Sequence, residues 1–118
     1  MNELIGRLVA ELGIDRNVAE KAVGVILAFL IKEGPADKVK ALLDRMPGAE
    51  AAAQASGGGG GFGMGGIMGA GAALMGLGLS MPQVQSVTRT VLAYARDTAG
   101  EDAVGEIVGA IPGLSQFI

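Results

Sequence analysis

The 118-residue sequence contains no cysteine and no histidine. Without cysteine the chain forms neither disulfides nor thiolate nucleophiles, and it cannot bind zinc through sulfur. Histidine is the commonest general base and a frequent metal ligand, so its absence removes most catalytic arrangements. The two absences predict a protein that is not an enzyme, with no catalytic, cofactor-binding or metal-binding residues and no cofactor.

Positive charge is also scarce, since nine Lys and Arg stand against 12 Asp and Glu, for a net charge of −3. Proteins that bind nucleic acid collect Lys and Arg on one surface to neutralise phosphates, so nucleic acid is not an expected partner. The chain starts with an amphipathic pattern containing Glu3 and Glu11, whereas a secretory signal has a basic region followed by an apolar run. The sequence therefore predicts a cytoplasmic protein.

The strongest pattern that is present is an internal repeat with an offset of 65 residues. Residues 12–50 align with residues 77–115 without a gap, and 8 of these 39 positions are identical. Leu-Gly and Pro-Gly each occur only twice in the chain, and both recur at this offset. Conservative apolar pairs, such as Phe29 with Tyr94, fill the rest of the alignment. The pattern predicts a tandem duplication.

Each copy has the apolar spacing of three amphipathic helices. Residues 2–12 form the first, and Gly13 is expected to end it in the left-handed conformation. Asp15 is expected to cap the second helix through its side chain, as Ser80 would in the second copy. Gly34-Pro35 ends the second helix. The core-type residues of this helix include Phe29.

The second copy repeats this layout, with a first helix expected within residues 64–77 despite its many glycines and a second helix that runs toward Gly100. The five glycines at 57–61 predict a flexible linker. The expected fold is therefore all-α, a tandem duplication of a three-helix unit with about six helices. The first repeat spans residues 1–55, the Gly-rich linker 56–63 and the second repeat 64–118. Both repeats are expected to pack as one domain, because about 50 residues make only a marginal core.

Residues 51–88 contain no charged side chain. Close helix packing, within the chain or across a dimer, is the favoured interpretation, because Gly65, Gly69 and Ala73 recur at four-residue spacing. Membrane association through residues 62–81 is the alternative, since this segment is uncharged and has small-xxx-small spacing. The candidate interaction surface consists of Phe62, Met64, Gly65, Ile67, Met68 and Gly69.

Two further sites are weaker hypotheses. Gly58, Gly60 and Gly63 match the GxGxxG phosphate-binding pattern only trivially, because they belong to a polyglycine run with no strand before it. Asp97, Glu101 and Asp102 surround a predicted turn that could hold a divalent cation, yet a calcium loop needs a denser set of ligands. A solvated turn is the preferred interpretation.

The repeated frame combines Leu-Gly-Ile or Leu-Gly-Leu, a capping residue, an aliphatic helix, an acidic turn and Pro-Gly. It resembles bacterial families of helical proteins without an established activity, among them the VcgC/VcgE-like family. The resemblance implies an all-helical bacterial protein and supplies no catalytic residue. The expected function is an interaction or structural module that associates with itself as a homo-oligomer or with a protein partner; the alternative is a membrane-associated protein.

Overall fold

The computed structural model describes residues 2–46, 48 and 66–111. Within these ranges the chain forms six α-helices and no strand, which confirms the predicted all-helical class. The helices are α1 (Asn2–Leu12), α2 (Arg16–Glu33), α3 (Ala36–Asp44), α4 (Gly66–Met75), α5 (Met81–Ala99) and α6 (Glu101–Ala110). The predicted linker, residues 56–63, lies outside the described residues.

Glycine ends three of these helices as the sequence predicts. Gly13 follows α1 with φ of 66°, and its amide donates to the carbonyl of Val9. Gly34 ends α2, and Gly100 separates α5 from α6 with φ of 99°. Positive φ is strained for a side chain with a Cβ, so Gly13 and Gly100 allow turns that other residues would resist.

The predicted side-chain cap of α2 is wrong. Asp15 occupies the N-cap position, but its carboxylate makes no capping hydrogen bond and stays exposed to water. Only its main-chain carbonyl takes part in the helix, accepting from the amide of Ala19. At the start of α5, the amide and hydroxyl of Ser80 both donate to Oε1 of Gln83, as in the second half of a capping box.

Helix α2 lies at the centre of the bundle and contacts α1, α3, α4 and α5. Helix α5 contacts α1, α2, α4 and α6, and α3 packs against α6. Both halves of the chain contribute to one buried apolar cluster, which includes Leu8 and Leu27 from the first half and Leu92 and Ile107 from the second. The described residues therefore share a single core.

Ion pairs and hydrogen bonds also join the two halves. Lys38 of α3 pairs with Glu106 of α6, and Arg7 of α1 lies 3.8 Å from the carboxylate of Asp97 in α5. These pairs are exposed, so each adds little stability. None of the helices in the described ranges combines the length and the apolar character needed to cross a lipid bilayer.

Candidate functional site

The structure places only part of the predicted interaction surface. Phe62, Met64 and Gly65 lie outside the described residues. Ile67 and Met68 belong to α4, where only their place in the helix is described. The assignment of these residues to an interaction surface stays a prediction.

One face of helix α4 lies toward the core. Gly69 and Ala70 are buried, Ala73 is partly buried, and Leu74 completes this face. The helix packs against α2 and α5. Small side chains let helix backbones approach closely, so this face of α4 serves packing within the chain.

An uncharged surface covers the outside of α4, the turn that follows it and the start of α5. We call it the neutral surface and define it by its exposed residues: Ala72, Met75, Gly76, Gly78, Met81 and Pro82. Met75 and Met81 are each 49% exposed. The sequence groups Met75 with Leu74 and Leu77 among the apolar residues that could line this helix, but Met75 is exposed, because Leu74 and Ala70 already fill the buried face of α4. Large exposed apolar side chains in an uncharged stretch can mark an interaction site.

A polar seam runs along the opposite contact, where α1 meets α5. The guanidinium of Arg7 lies 3.7 Å from Glu3, 3.8 Å from Asp97 and 5.9 Å from the ring centre of Tyr94. One turn further along α1, Glu11 accepts a hydrogen bond of 3.2 Å from the hydroxyl of Thr90. The seam holds α1 on α5 through contacts between residues far apart in sequence.

A groove of about 320 Å³ opens beside this seam. Its lining combines a carboxylate, a guanidinium and two hydroxyls with two apolar side chains: Glu11, Arg89, Ser86, Thr90, Leu12 and Ala93. These groups can donate and accept hydrogen bonds to a small polar molecule. The chain has no histidine, so neither hydroxyl is paired with an imidazole base.

A second groove, of about 250 Å³, lies between α2 and α3. Its lining is mainly apolar, with Ile31, Val39 and Leu43, and Lys40 and Asp44 stand at its edge. Ile31 is 43% exposed here. The apolar lining of this groove suits contact with an apolar group.

The described residues hold no group of three or more acidic side chains arranged to bind a metal ion. Asp97, which the sequence placed in an acidic turn, pairs with Arg7 instead. Thr88 is the buried polar side chain of α5, and its hydroxyl donates to the carbonyl of Val84 at 2.9 Å. No buried side-chain nitrogen or oxygen within the described ranges lacks a hydrogen-bond partner.

Comparison of the chain with protein-family models, with curated proteins and with solved structures found no match.

Proposed function

We propose that this protein is a non-catalytic interaction or structural module, built by duplication of a three-helix unit, that associates with itself. The observation that carries the proposal is the neutral surface, where Met75 and Met81 are each about half exposed. Met side chains are flexible and polarisable, so they adapt to a partner surface. Interface centres are also depleted in charged residues, as this surface is.

The pattern of helix contacts supports the duplication. Each helix of the first half has a counterpart in the second half: α1 corresponds to α4, α2 to α5 and α3 to α6. When the names of these counterparts are exchanged, the set of helix pairs in close contact stays the same. For example, α1 packs on α5 and α4 packs on α2. A pseudo-twofold relation between two copies of one unit accounts for this pattern directly.

Local geometry at the 65-residue offset supports the same proposal. Arg16 begins α2 and Met81 begins α5, while Gly13 and Gly78 precede them with φ of 66° and 97°. Of the ten buried residues from 77 to 111, nine have a buried partner 65 positions earlier. Positions buried in the second half are therefore mostly buried in the first, whereas the first half also buries residues 24, 25, 28 and 29, whose aligned residues are exposed or partly buried.

The non-catalytic part of the proposal rests on composition, since the chain has no cysteine and no histidine. The proposal places the protein in the cytoplasm and among bacterial helical proteins of the kind that its repeated frame resembles.

Sedimentation velocity on the full chain tests the proposed self-association. At increasing concentrations from about 1 to 500 µM, we expect the mass to rise from that of the 11.8 kDa chain toward twice this value, because mass action favours the dimer. A mass that stays at 11.8 kDa over the whole range would overturn self-association.

A further inference from the structure

The two halves offer an internal comparison of the same surface. Positions 65 residues apart occupy equivalent places on α2 and α5 and on the turns before them. In the first half this surface carries five charged residues, which are Glu11, Asp15, Arg16, Glu20 and Lys21. In the second half the equivalent residues are all uncharged, namely Gly76, Ser80, Met81, Gln85 and Ser86.

This replacement is not explained by the fold. The charged residues of the first half are exposed to water, and Arg16 and Glu20 form an ion pair of 3.6 Å on α2. Their equivalents Gly76, Ser80 and Met81 are exposed as well, so the fold accepts charge at these three places, whereas Gln85 and Ser86 are partly buried. At the equivalent of Arg16, the second half instead exposes Met81, and Met75 stands where the first half has Ala10. Exposing apolar side chains in place of charged ones favours association.

We infer that the neutral surface is the face through which two copies of this chain associate, with Met75 and Met81 at the centre of a twofold interface. This inference rests on the proposed self-association and assigns it to a surface. A twofold contact brings the same patch of both subunits together. A charged patch would then meet its own charge, whereas this surface has no charge to repel its copy.

The residue types of the neutral surface favour a second copy of the chain over a membrane or a charged protein as the partner. Peripheral membrane helices usually combine Lys or Arg on one face with Trp, Phe or Leu on the other. None of these residue types is among those that define the neutral surface. A partner with a charged face would lose hydration there without gaining an opposite charge.

The halves also supply the test variant and its control. Met81→Arg with Gln85→Glu gives α5 the charges that α2 carries at Arg16 and Glu20. Because the first half already holds this pair on an equivalent helix, the double variant is expected to fold. The control reverses the ion pair on the other half, Arg16→Glu with Glu20→Arg, which keeps that helix charged and leaves the neutral surface intact. Met75→Ala, which copies Ala10, is a second probe of the same interface.

Sedimentation velocity should show a dimer for the wild type and the control. For Met81→Arg with Gln85→Glu, we expect a dissociation constant at least about tenfold higher, as for other residues at the centre of an interface. Met75→Ala should weaken the dimer as well. Circular dichroism at concentrations where all variants are monomeric should show unchanged helix content.

Four results would overturn the inference in distinguishable ways. A dimer that is equally tight in both neutral-surface variants would leave self-association standing and place it elsewhere. A monomeric wild type would remove the proposed function together with this interface. A monomeric wild type that floats with phosphatidylcholine vesicles, and loses flotation on Met81→Arg with Gln85→Glu, would assign the surface to lipid. Capture of a different protein by a monomeric chain would also reject the second copy.

Discussion

Steric contact, rather than an unusual backbone angle, explains why residue 34 is a glycine. A Cβ at this position would lie 2.7 Å from the carbonyl oxygen of Leu30 and 2.8 Å from Cγ2 of Val39. The backbone φ of Gly34 is −87°, which any residue can adopt. The chain therefore needs glycine here because a Cβ would meet both the last turn of α2 and Val39 of α3.

Gly34→Ala should lower the free energy of unfolding by about 1–3 kcal/mol, the usual cost of overpacking a filled site. Gly105→Ala is the matched control, because a Cβ at that exposed position in α6 meets nothing within 4 Å. The control should gain roughly 0.5–1 kcal/mol from the better helix propensity of alanine. Urea unfolding followed by circular dichroism measures both changes, and equal shifts in the two variants would contradict the close approach at Gly34.

The sequence identified Gly34-Pro35 as a helix end but could not reveal this contact. A Gly-Pro pair ends a helix through local backbone restrictions, which are visible in the sequence itself. The clash with Val39 depends on the angle at which α3 returns over α2, and that angle is set by packing. The same limit explains Asp15, where residue type predicted a cap and the carboxylate faces water instead.

Helix α2 buries more of its residues than the spacing of its apolar side chains predicts. Apolar spacing of three and four residues predicted one buried face, yet all nine residues from 22 to 30 are buried. The helix contacts four others and so has no free side along this stretch. The sequence did indicate this burial, because residues 22–30 are apolar on all sides of the helix, which is typical of a central helix.

Phe29→Ala should destabilise the protein by roughly 3–5 kcal/mol, since the ring is 4% exposed and its removal leaves a cavity in the core. Ile31→Ala serves as a control two residues further along the same helix. Its side chain is 43% exposed, so we expect a loss under about 1.5 kcal/mol. Thermal or urea unfolding gives both values. Comparable losses in the two variants would mean that α2 is not central.

Helix ends and helix order were more predictable than surfaces. The predicted first helix, residues 2–12, matches α1, and the predicted ends at Gly34 and Gly100 are found. The polar seam was missed, because Thr90 and Glu11 are 79 residues apart and no local pattern connects them. The exposure of Met75 was missed for a related reason: with so many small residues in α4, the spacing does not determine which face is buried.

At the scale of the whole molecule, the shared core implies cooperative unfolding. Leu42 of α3 and Ile107 of α6 are each no more than 1% exposed and belong to the same cluster. Neither half can lose its core without exposing the apolar face of the other. Single domains of this size usually unfold in one step.

Leu42→Ala should therefore destabilise the second half as much as the first, by about 2–5 kcal/mol. The chain has one tyrosine and no tryptophan, so tyrosine fluorescence reports on Tyr94 in α5, while circular dichroism reports on all helices. Both signals should shift to the same lower urea midpoint. Ile107→Ala, 65 positions further along in the second half, should shift both signals in the same way. A Tyr94 midpoint that Leu42→Ala leaves unchanged would show that the halves unfold independently.

The contact between α1 and α5 also matters while the chain is being made. Leu4 and Leu8 belong to α1, which leaves the ribosome well before α5, yet their helix packs partly against residues 81–99. At roughly 5–20 residues per second, several seconds of translation pass between completion of α2 and completion of α5. During that interval the nascent first half carries an uncovered apolar face, and it is then open to chaperones or to a neighbouring nascent chain on the same polysome.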